Sequence, residues 1–146
     1  MKEQATLPSE RGQQLVEFAL ILPVLLLLLL GIMEFGIVIF SYDTIANVGR
    51  EVARYGAVHP YEIDEPDEFD TFRKEEIDRW TTGIITERLH ITPTLNAGEW
   101  LTSTIRVTVT YEYRFLTGPM IRAVGGDPNL TLRTVTTMRT EIPYTE

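Results

Sequence analysis

The sequence predicts an α+β fold in which one amino-terminal transmembrane helix continues into a domain with a second helix and a small antiparallel sheet of about three strands. Two patterns lead to this prediction. Residues 15–40 are almost wholly apolar, which is typical of a helix that crosses a bilayer. From residue 101 onward, apolar and polar residues alternate, which is the period of strands with one buried face. We therefore divide the chain into a leader (1–12), a transmembrane helix (13–40) and an α+β domain (41–146).

The apolar segment is long enough to span a membrane. As a helix, residues 15–40 would extend about 39 Å, whereas the hydrocarbon core of a bilayer is about 30 Å thick. The segment is apolar on every side, whereas a soluble core helix is amphipathic. A secretory signal peptide is the alternative, but its apolar region would be shorter and would end at a small-residue cleavage site, which Phe40-Ser41-Tyr42-Asp43 does not provide. Pro23 is acceptable because membrane helices tolerate kinks.

The orientation of the helix is inferred from the basic residues beside it. Lys2 and Arg11 precede the apolar segment, and Arg50 and Arg54 follow it, so the count of positive charges is equal on the two sides. Arg11 is closer to the segment than Arg50 is, and the helix-and-strand domain lies wholly downstream. We therefore expect a cytoplasmic amino terminus and an extracytoplasmic domain.

Composition excludes several classes of function. The formal net charge is −8, and an acidic chain lacks the basic face that nucleic acid requires. There is no cysteine, so disulfides, thiolate chemistry and cysteine-ligated metals are excluded. His59 and His90 are the only histidines, and no zinc-protease, nucleophile-elbow or phosphate-loop motif occurs. We expect no catalytic residue, cofactor or metal, and we expect His90 at the surface near a strand end.

Two glutamates lie within the apolar segment. Glu17 and Glu34 are 17 residues apart, about 26 Å along a helix, so they mark its two ends. Ionised carboxylates in hydrocarbon are costly, which makes each a candidate functional residue. For Glu34 the simpler interpretation is a position near the outer interface, within reach of headgroups or water. For Glu17 it is an interfacial glutamate on an ordinary anchor.

The residues before Glu17 form a recognisable pattern. A short polar leader ends at Gly12, and Glu17-Phe18 follows five residues later at the start of the apolar helix. This resembles the prepilin-peptidase site of type IV pilins and pseudopilins. The resemblance implies cleavage between Gly12 and Gln13 on the cytoplasmic side, which makes Glu17 the fifth mature residue. In that family the glutamate is held to pair with the terminal ammonium of an adjacent subunit. Such a pair would stabilise a carboxylate in lipid and set the register of packed helices.

The resemblance extends over roughly the first third of the chain. It rests on Gly12, on Leu15-Val16-Glu17-Phe18-Ala19-Leu20 with Leu22-Pro23, on Gly31-Ile32-Met33-Glu34-Phe35-Gly36, and on residues 47–57. Together these are similar to the TadE-like family, which contains minor pseudopilins and assembly proteins of the Tad (tight adherence, Flp-type) pilus and secretion system. The resemblance implies a non-enzymatic protein of the bacterial cytoplasmic (inner) membrane, associated with the pilus. The implied partners are membrane lipid, a prepilin peptidase, other pilins or pseudopilins and Tad secretion components.

Two alternatives remain open. A TadE/TadG-like membrane protein could keep its leader and act as a static scaffold. A membrane-tethered enzyme or receptor would need convergent titratable groups in a pocket, and a pocket on the sheet would favour it.

The helical part of the domain is predicted from spacing. Ile45, Val48, Val52 and Tyr55 recur every three or four residues, so the first helix should continue to about residues 56–60. An acidic linker, residues 61–68, leads to a second helix over about 67–90. Its first carboxylates favour the positive end of the helix dipole. Calcium binding is the competing interpretation of this acidic cluster, but the EF-hand pattern with its central glycine is absent.

The strands are predicted from alternation. A loose strand over 89–95 ends in a turn at Asn96-Ala97-Gly98, and a regular strand follows over 101–115. Glycine and proline at 118–119 and 125–128 interrupt the chain before a last strand over about 130–140. The polar face of this sheet is dense in Thr and Arg and suits water or a neighbouring subunit.

Overall fold

The computed structural model describes residues 9–64, 72, 77, 79, 81, 83–96 and 103–141. The chain divides into two compact units, Met1–Gly36 and Ile37–Glu146. The first unit is helical where it is described, and the second contains the remaining helices and the whole sheet.

Helix α1 runs over Ser9–Val58. It contains Pro23 without interruption and is the one helix among the described residues that is long and apolar enough to cross a membrane. The predicted continuation beyond Phe40 is confirmed. The helix ends before Pro60, which has no backbone N–H and therefore cannot continue the hydrogen-bond ladder. Pro60 instead begins the short helix α2, Pro60–Asp64.

The predicted second helix over 67–90 is only partly observable. Residues 72, 77 and 79 are helical, and most of the others lie outside the described residues. Its predicted end at residue 90 is wrong. Gly83 has a φ of 93°, a left-handed conformation that glycine adopts without steric cost and that is incompatible with a continuing α-helix. A 3₁₀ turn at Thr86–Arg88 then leads into the first strand.

Three antiparallel strands form one sheet in the order β1-β2-β3, as predicted. They are β1 (Leu89–Asn96), β2 (Thr104–Arg114) and β3 (Asn129–Arg139). Leu89 is paired with Tyr111 at one end of the sheet, and Thr104 is paired with Arg139 at the other. Of the predicted turn, Ala97 and Gly98 lie outside the described residues.

The core lies between α1 and one face of the sheet. On β2 every second residue is buried, and this set comprises Ile105, Val107, Val109, Tyr111 and Tyr113. From α1 the buried set includes Ile45, Val48, Val52, Ala53 and Ala57. The predicted alternation along β2 is confirmed, and so is the burial of Ile45, Val48 and Val52 from the predicted stripe on α1, whereas Tyr55 of that stripe is only half-buried. The core also reaches into the apolar segment, since Ile37 and Val38 pack against it.

Two glycines bring α1 close to the sheet. A Cβ atom on Gly49 would lie 3.2 Å from Thr136 Oγ1, and one on Gly56 would collide with Ile105 Cδ1 and lie 2.9 Å from Ile63 Cγ1. The glycines are seven residues apart, close to two helical turns, so they share one face of α1. Sequence reasoning missed this face, although the seven-residue spacing of the glycines was a signal of it.

A compact connection joins β2 to β3. The predicted break at Gly118-Pro119 instead begins a short helix, α3 (Gly118–Ala123), because proline is compatible with the first turn of a helix. Gly125 has a φ of 85° and lets the chain reverse. The Phe115 N–H donates to the Pro128 carbonyl at 2.9 Å, which closes the connection at its base.

Candidate functional site

The candidate cleavage point lies within α1. Gly12 and Gln13 follow Ser9, the first residue of the helix, and both side-chain positions are exposed. A Cβ atom on Gly12 would meet no atom within 4 Å. Glycine in a helix interior costs roughly 0.5–1 kcal/mol relative to alanine. The peptide bond between Gly12 and Gln13 is therefore accessible but helical, at a point where the helix is intrinsically weak.

Glu17 lies one turn beyond the candidate cleavage point. The Gln13 side-chain amide donates a hydrogen bond to Glu17 Oε1 at 3.1 Å. The structure therefore brings together two of the residues that the sequence singled out, through the ordinary i,i+4 geometry of a helix. Phe18 is 59% exposed and contributes an apolar surface directly after the carboxylate.

The free energy of this hydrogen bond is small compared with the cost of placing a carboxylate in lipid. An exposed i,i+4 pair contributes about 0.2–0.5 kcal/mol, whereas an acidic residue at the bilayer centre costs about 2.5–3.5 kcal/mol on insertion scales. The hydrogen bond from Gln13 therefore positions the Glu17 carboxylate but would offset only a small part of the cost of placing it deep in the bilayer. A cation near Glu17 would be a much stronger partner.

Glu34 differs from its neighbours in exposure. Its side chain is 5% exposed, whereas Met33 and Phe35 are 49% and 66% exposed. Glu34 is therefore buried within the chain, and its predicted position near the outer interface of a membrane stays a prediction. A buried carboxylate needs hydrogen-bond or charged partners. Glu34 is distant along α1 from Glu17, so the two acids do not form a common site.

The apolar part of α1 is an exposed surface within its own unit. Between Leu15 and Leu30 every large apolar side chain except Leu22 is at least 36% exposed. Such a surface is favourable only in lipid or against other apolar helices. The apolar part of α1 is therefore suited to anchoring and helix association, and Glu17 is the charged residue between Leu15 and Leu30.

A cavity of about 550 Å³ lies at the carboxyl-terminal end of α1, and its lining was not predicted. It is lined by Glu51, Arg54, Tyr55, Val58, His59, Phe72 and Glu141. The signal in the sequence was the spacing of Glu51, Arg54 and Val58 by three and four residues, which places them on one face of α1, with His59 directly after the helix.

The charged and aromatic groups of this cavity already contact one another. Arg54 pairs with Glu51 at 2.7 Å. Tyr55 stacks on His59 and Phe72, with ring centroids 4.7 and 3.9 Å apart, and its hydroxyl donates to Glu62. The cavity lies on the helix and not on the sheet. Within the described ranges no group of three or more His, Asp or Glu side chains could hold a metal, and the enzyme or receptor alternative stays a hypothesis.

The open face of the sheet is polar, as predicted. Arg106, Arg114, Arg133 and Arg139 lie on it, with one carboxylate from Glu112. It carries excess positive charge in a chain whose net charge is −8. His90 is exposed at the second position of β1, which confirms the expectation for that residue.

Comparison with known proteins identifies the amino-terminal part of the chain. Residues 12–54 match the family model described as TadE-like protein, which confirms the resemblance drawn from residue patterns. A TadE-like segment indicates a membrane protein related to the Tad pilus. No curated protein and no solved structure matches the chain significantly.

Proposed function

We propose, on the premise that residues 12–54 are the TadE-like segment of a Tad pilus-related membrane protein, that the chain is a minor pseudopilin or membrane assembly component of a Tad/Flp-type apparatus. It has no enzymatic activity in this proposal. A prepilin peptidase cuts between Gly12 and Gln13 on the cytoplasmic side of the inner membrane. The observation that carries the proposal is the position of Glu17 one helical turn after this bond, at the start of the exposed apolar surface.

Cleavage changes the electrostatics around Glu17. The backbone nitrogen of Gln13 becomes a terminal ammonium, which is a cation that the uncut chain does not have at this position. An ammonium of an adjacent subunit would pair with Glu17 when two apolar helices pack at the correct axial offset. A shift by one turn, about 5.4 Å, would separate the two charges. The pair would thus select one register, as a buried polar residue does in a coiled coil.

Because the candidate cleavage point is helical, cleavage also requires a local change of conformation. A protease active site binds its substrate in an extended form, and the bond between Gly12 and Gln13 lies in α1. The first residues of the helix must therefore unwind before cleavage. Gly12 lowers the cost of this unwinding because glycine is a poor helix former.

A processing assay tests the proposal. The full chain is expressed with and without the matching prepilin peptidase, and the mature terminus is determined by mass spectrometry and terminal sequencing. The expected product begins at Gln13. Gly12→Leu should block processing, and Gly31→Leu is the matched control because it also replaces an exposed helical glycine. A terminus at any other residue, or processing of Gly12→Leu at the normal rate, would reject the mechanism.

The second candidate is an unprocessed TadE/TadG-like scaffold. The observation that favours it is the helical conformation of residues 9–13, which a peptidase cannot bind directly. This candidate predicts an intact Met1 terminus in cells with an active peptidase, and extraction from membranes only by detergent. The same processing assay therefore separates the two candidates.

A further inference from the structure

We propose that the membrane-facing end of the domain rests in the lipid interface through a cluster of exposed apolar side chains. We call this cluster the basal surface and define it as Phe40, Ile85, Leu116, Met120 and Val124. Its occupant is the bilayer itself, at the boundary between headgroups and acyl chains. The inference deepens the proposed function by assigning a lipid-contacting role to the domain. It rests on the membrane anchor and does not depend on cleavage.

The direction of β2 relative to α1 identifies which end of the domain faces the membrane. Within the unit Ile37–Glu146, Gly49 packs beside Val109, and Gly56, further along α1, packs beside Ile105. The strand therefore runs opposite to the helix. The end of β2 at Arg114 points toward Phe40, where the apolar segment ends.

Contacts around the 3₁₀ turn place Ile85 at the same end. A Cβ atom on Gly83 would lie 3.1 Å from the Phe40 ring, and the Ile85 N–H donates to the Tyr111 hydroxyl at 3.4 Å. The segment before β1 therefore lies beside the last turn of the apolar segment, at the end of the domain toward which β2 runs.

The side chains at this end are unusually exposed for their type. Val124 is 85% exposed, Leu116 62%, Phe40 52%, Met120 49% and Ile85 47%. A single exposed apolar residue needs no explanation, but several at one end of a small domain indicate an interaction surface. The backbone here is ordered by hydrogen bonds, including Gly126 N–H to the Ile121 carbonyl at 2.9 Å. The connection therefore presents its apolar side chains from a fixed scaffold.

The position of the basal surface along α1 indicates that it contacts lipid. Ile37 and Val38 belong to the apolar segment and also pack against the domain core, so the core begins before the apolar segment ends. If the apolar segment ends at the membrane boundary, apolar groups at this level would lie at the depth of about 5–10 Å that interfacial elements occupy. The opposite end, near Val58, is about 27 Å further along α1 and lies well beyond that depth.

Site-directed spin labelling tests the proposal, and the chain has no cysteine of its own to remove. Val124→Cys is labelled in the full, uncut chain, reconstituted in bilayers of phosphatidylcholine and phosphatidylglycerol. Collision rates with oxygen, which partitions into lipid, and with a water-soluble nickel chelate are then compared. Ile39→Cys, at a position 53% exposed in the apolar segment, is the lipid reference. Val58→Cys and Val135→Cys are the water references.

The expected ratio of oxygen to chelate collisions at residue 124 is close to that at residue 39 and several-fold above that at residues 58 and 135. Met120→Cys should give the same result and serves if the first variant misfolds. A ratio equal to the water references would overturn the proposal. Low access to both reagents would also overturn it, because that result indicates burial against protein. Since no peptidase is present, this outcome is independent of whether the leader is removed in cells.

Discussion

Gly49 of α1 lies against Thr136 of β3, so closely that a Cβ atom on the glycine would be 3.2 Å from the threonine hydroxyl. Gly49 belongs to the TadE-like segment and Thr136 lies far outside it. The segment therefore has two structural roles: its first part is the membrane helix, and its last part forms one side of the domain core. A domain cut from its anchor at residue 54 would lose buried Ile45, Val48 and Val52 and should not fold.

Truncating a buried isoleucine of α1 should affect the domain core, whereas truncating an exposed isoleucine of the apolar segment should not. Ile45→Ala removes a side chain that is 0% exposed, and such core truncations cost about 2–5 kcal/mol. Ile39→Ala is the matched control, because this isoleucine is 53% exposed. Thermal unfolding of the full chain in detergent, followed by near-ultraviolet circular dichroism, should show a large loss for the first variant and little change for the second. Equal losses would contradict the assigned core.

Adding volume at the glycine face should also destabilise the domain. Gly56→Val places new methyl groups against Ile105 and Ile63, and overpacking of a core costs about 1–3 kcal/mol. Gly36→Val is the control, since a Cβ there meets no atom within 4 Å. Chemical denaturation in detergent should give a lower midpoint for Gly56→Val alone. A midpoint that does not change would mean that α1 and the sheet are not in close contact at this position.

The end of β3 provides a polar test of the same fold. The Thr140 hydroxyl donates to the Ser103 carbonyl at 3.2 Å in a buried position, so Thr140→Val should cost about 0.5–1.5 kcal/mol. Thr137→Val, on the exposed face of β3, should stay within about 0.5 kcal/mol of the parent chain. The measurement is the free energy of unfolding of each variant. A larger loss for Thr137→Val than for Thr140→Val would be inconsistent with the strand register.

The charge of Glu17 should matter for assembly after processing. Glu17→Gln keeps the shape and can still accept a hydrogen bond from Gln13, but it cannot pair with an ammonium as an anion. Because hydrogen bonds to charged groups contribute about 1.5–3 kcal/mol, association with other pilus subunits should fall about tenfold or more. The readout is the amount of mature chain that co-purifies with those subunits from crosslinked membranes.

A control variant tests whether it matters that the carboxylate is lost at position 17. Glu10→Gln removes a carboxylate from the leader, which leaves with cleavage, so the mature subunit should associate normally. Normal association of Glu17→Gln would contradict the register role of Glu17, whereas a loss in both variants would indicate a defect before assembly.

The sequence by itself determined the anchor, the single continuous helix and the three-stranded sheet. These elements follow from local periodicity: an uninterrupted apolar run, a stripe at helical spacing from Ile45 to Tyr55, and strict alternation along β2. The contact between Gln13 and Glu17 could also be expected from sequence, because i,i+4 neighbours in a helix meet without any tertiary contact. The cleavage site at Gly12, which rests on the family resemblance, stays a prediction.

Tertiary structure alone decided the end of the second helix, the burial of Glu34, the glycine face and the basal surface. The positive φ of Gly83 is compatible with more than one local backbone structure. The packing of Gly83 beside Phe40 determines which of them the chain adopts. The packing of Gly56 against Ile105 joins residues 49 positions apart, which no local pattern encodes. Burial and proximity of this kind depend on which elements meet, and that is set by the fold of the whole domain.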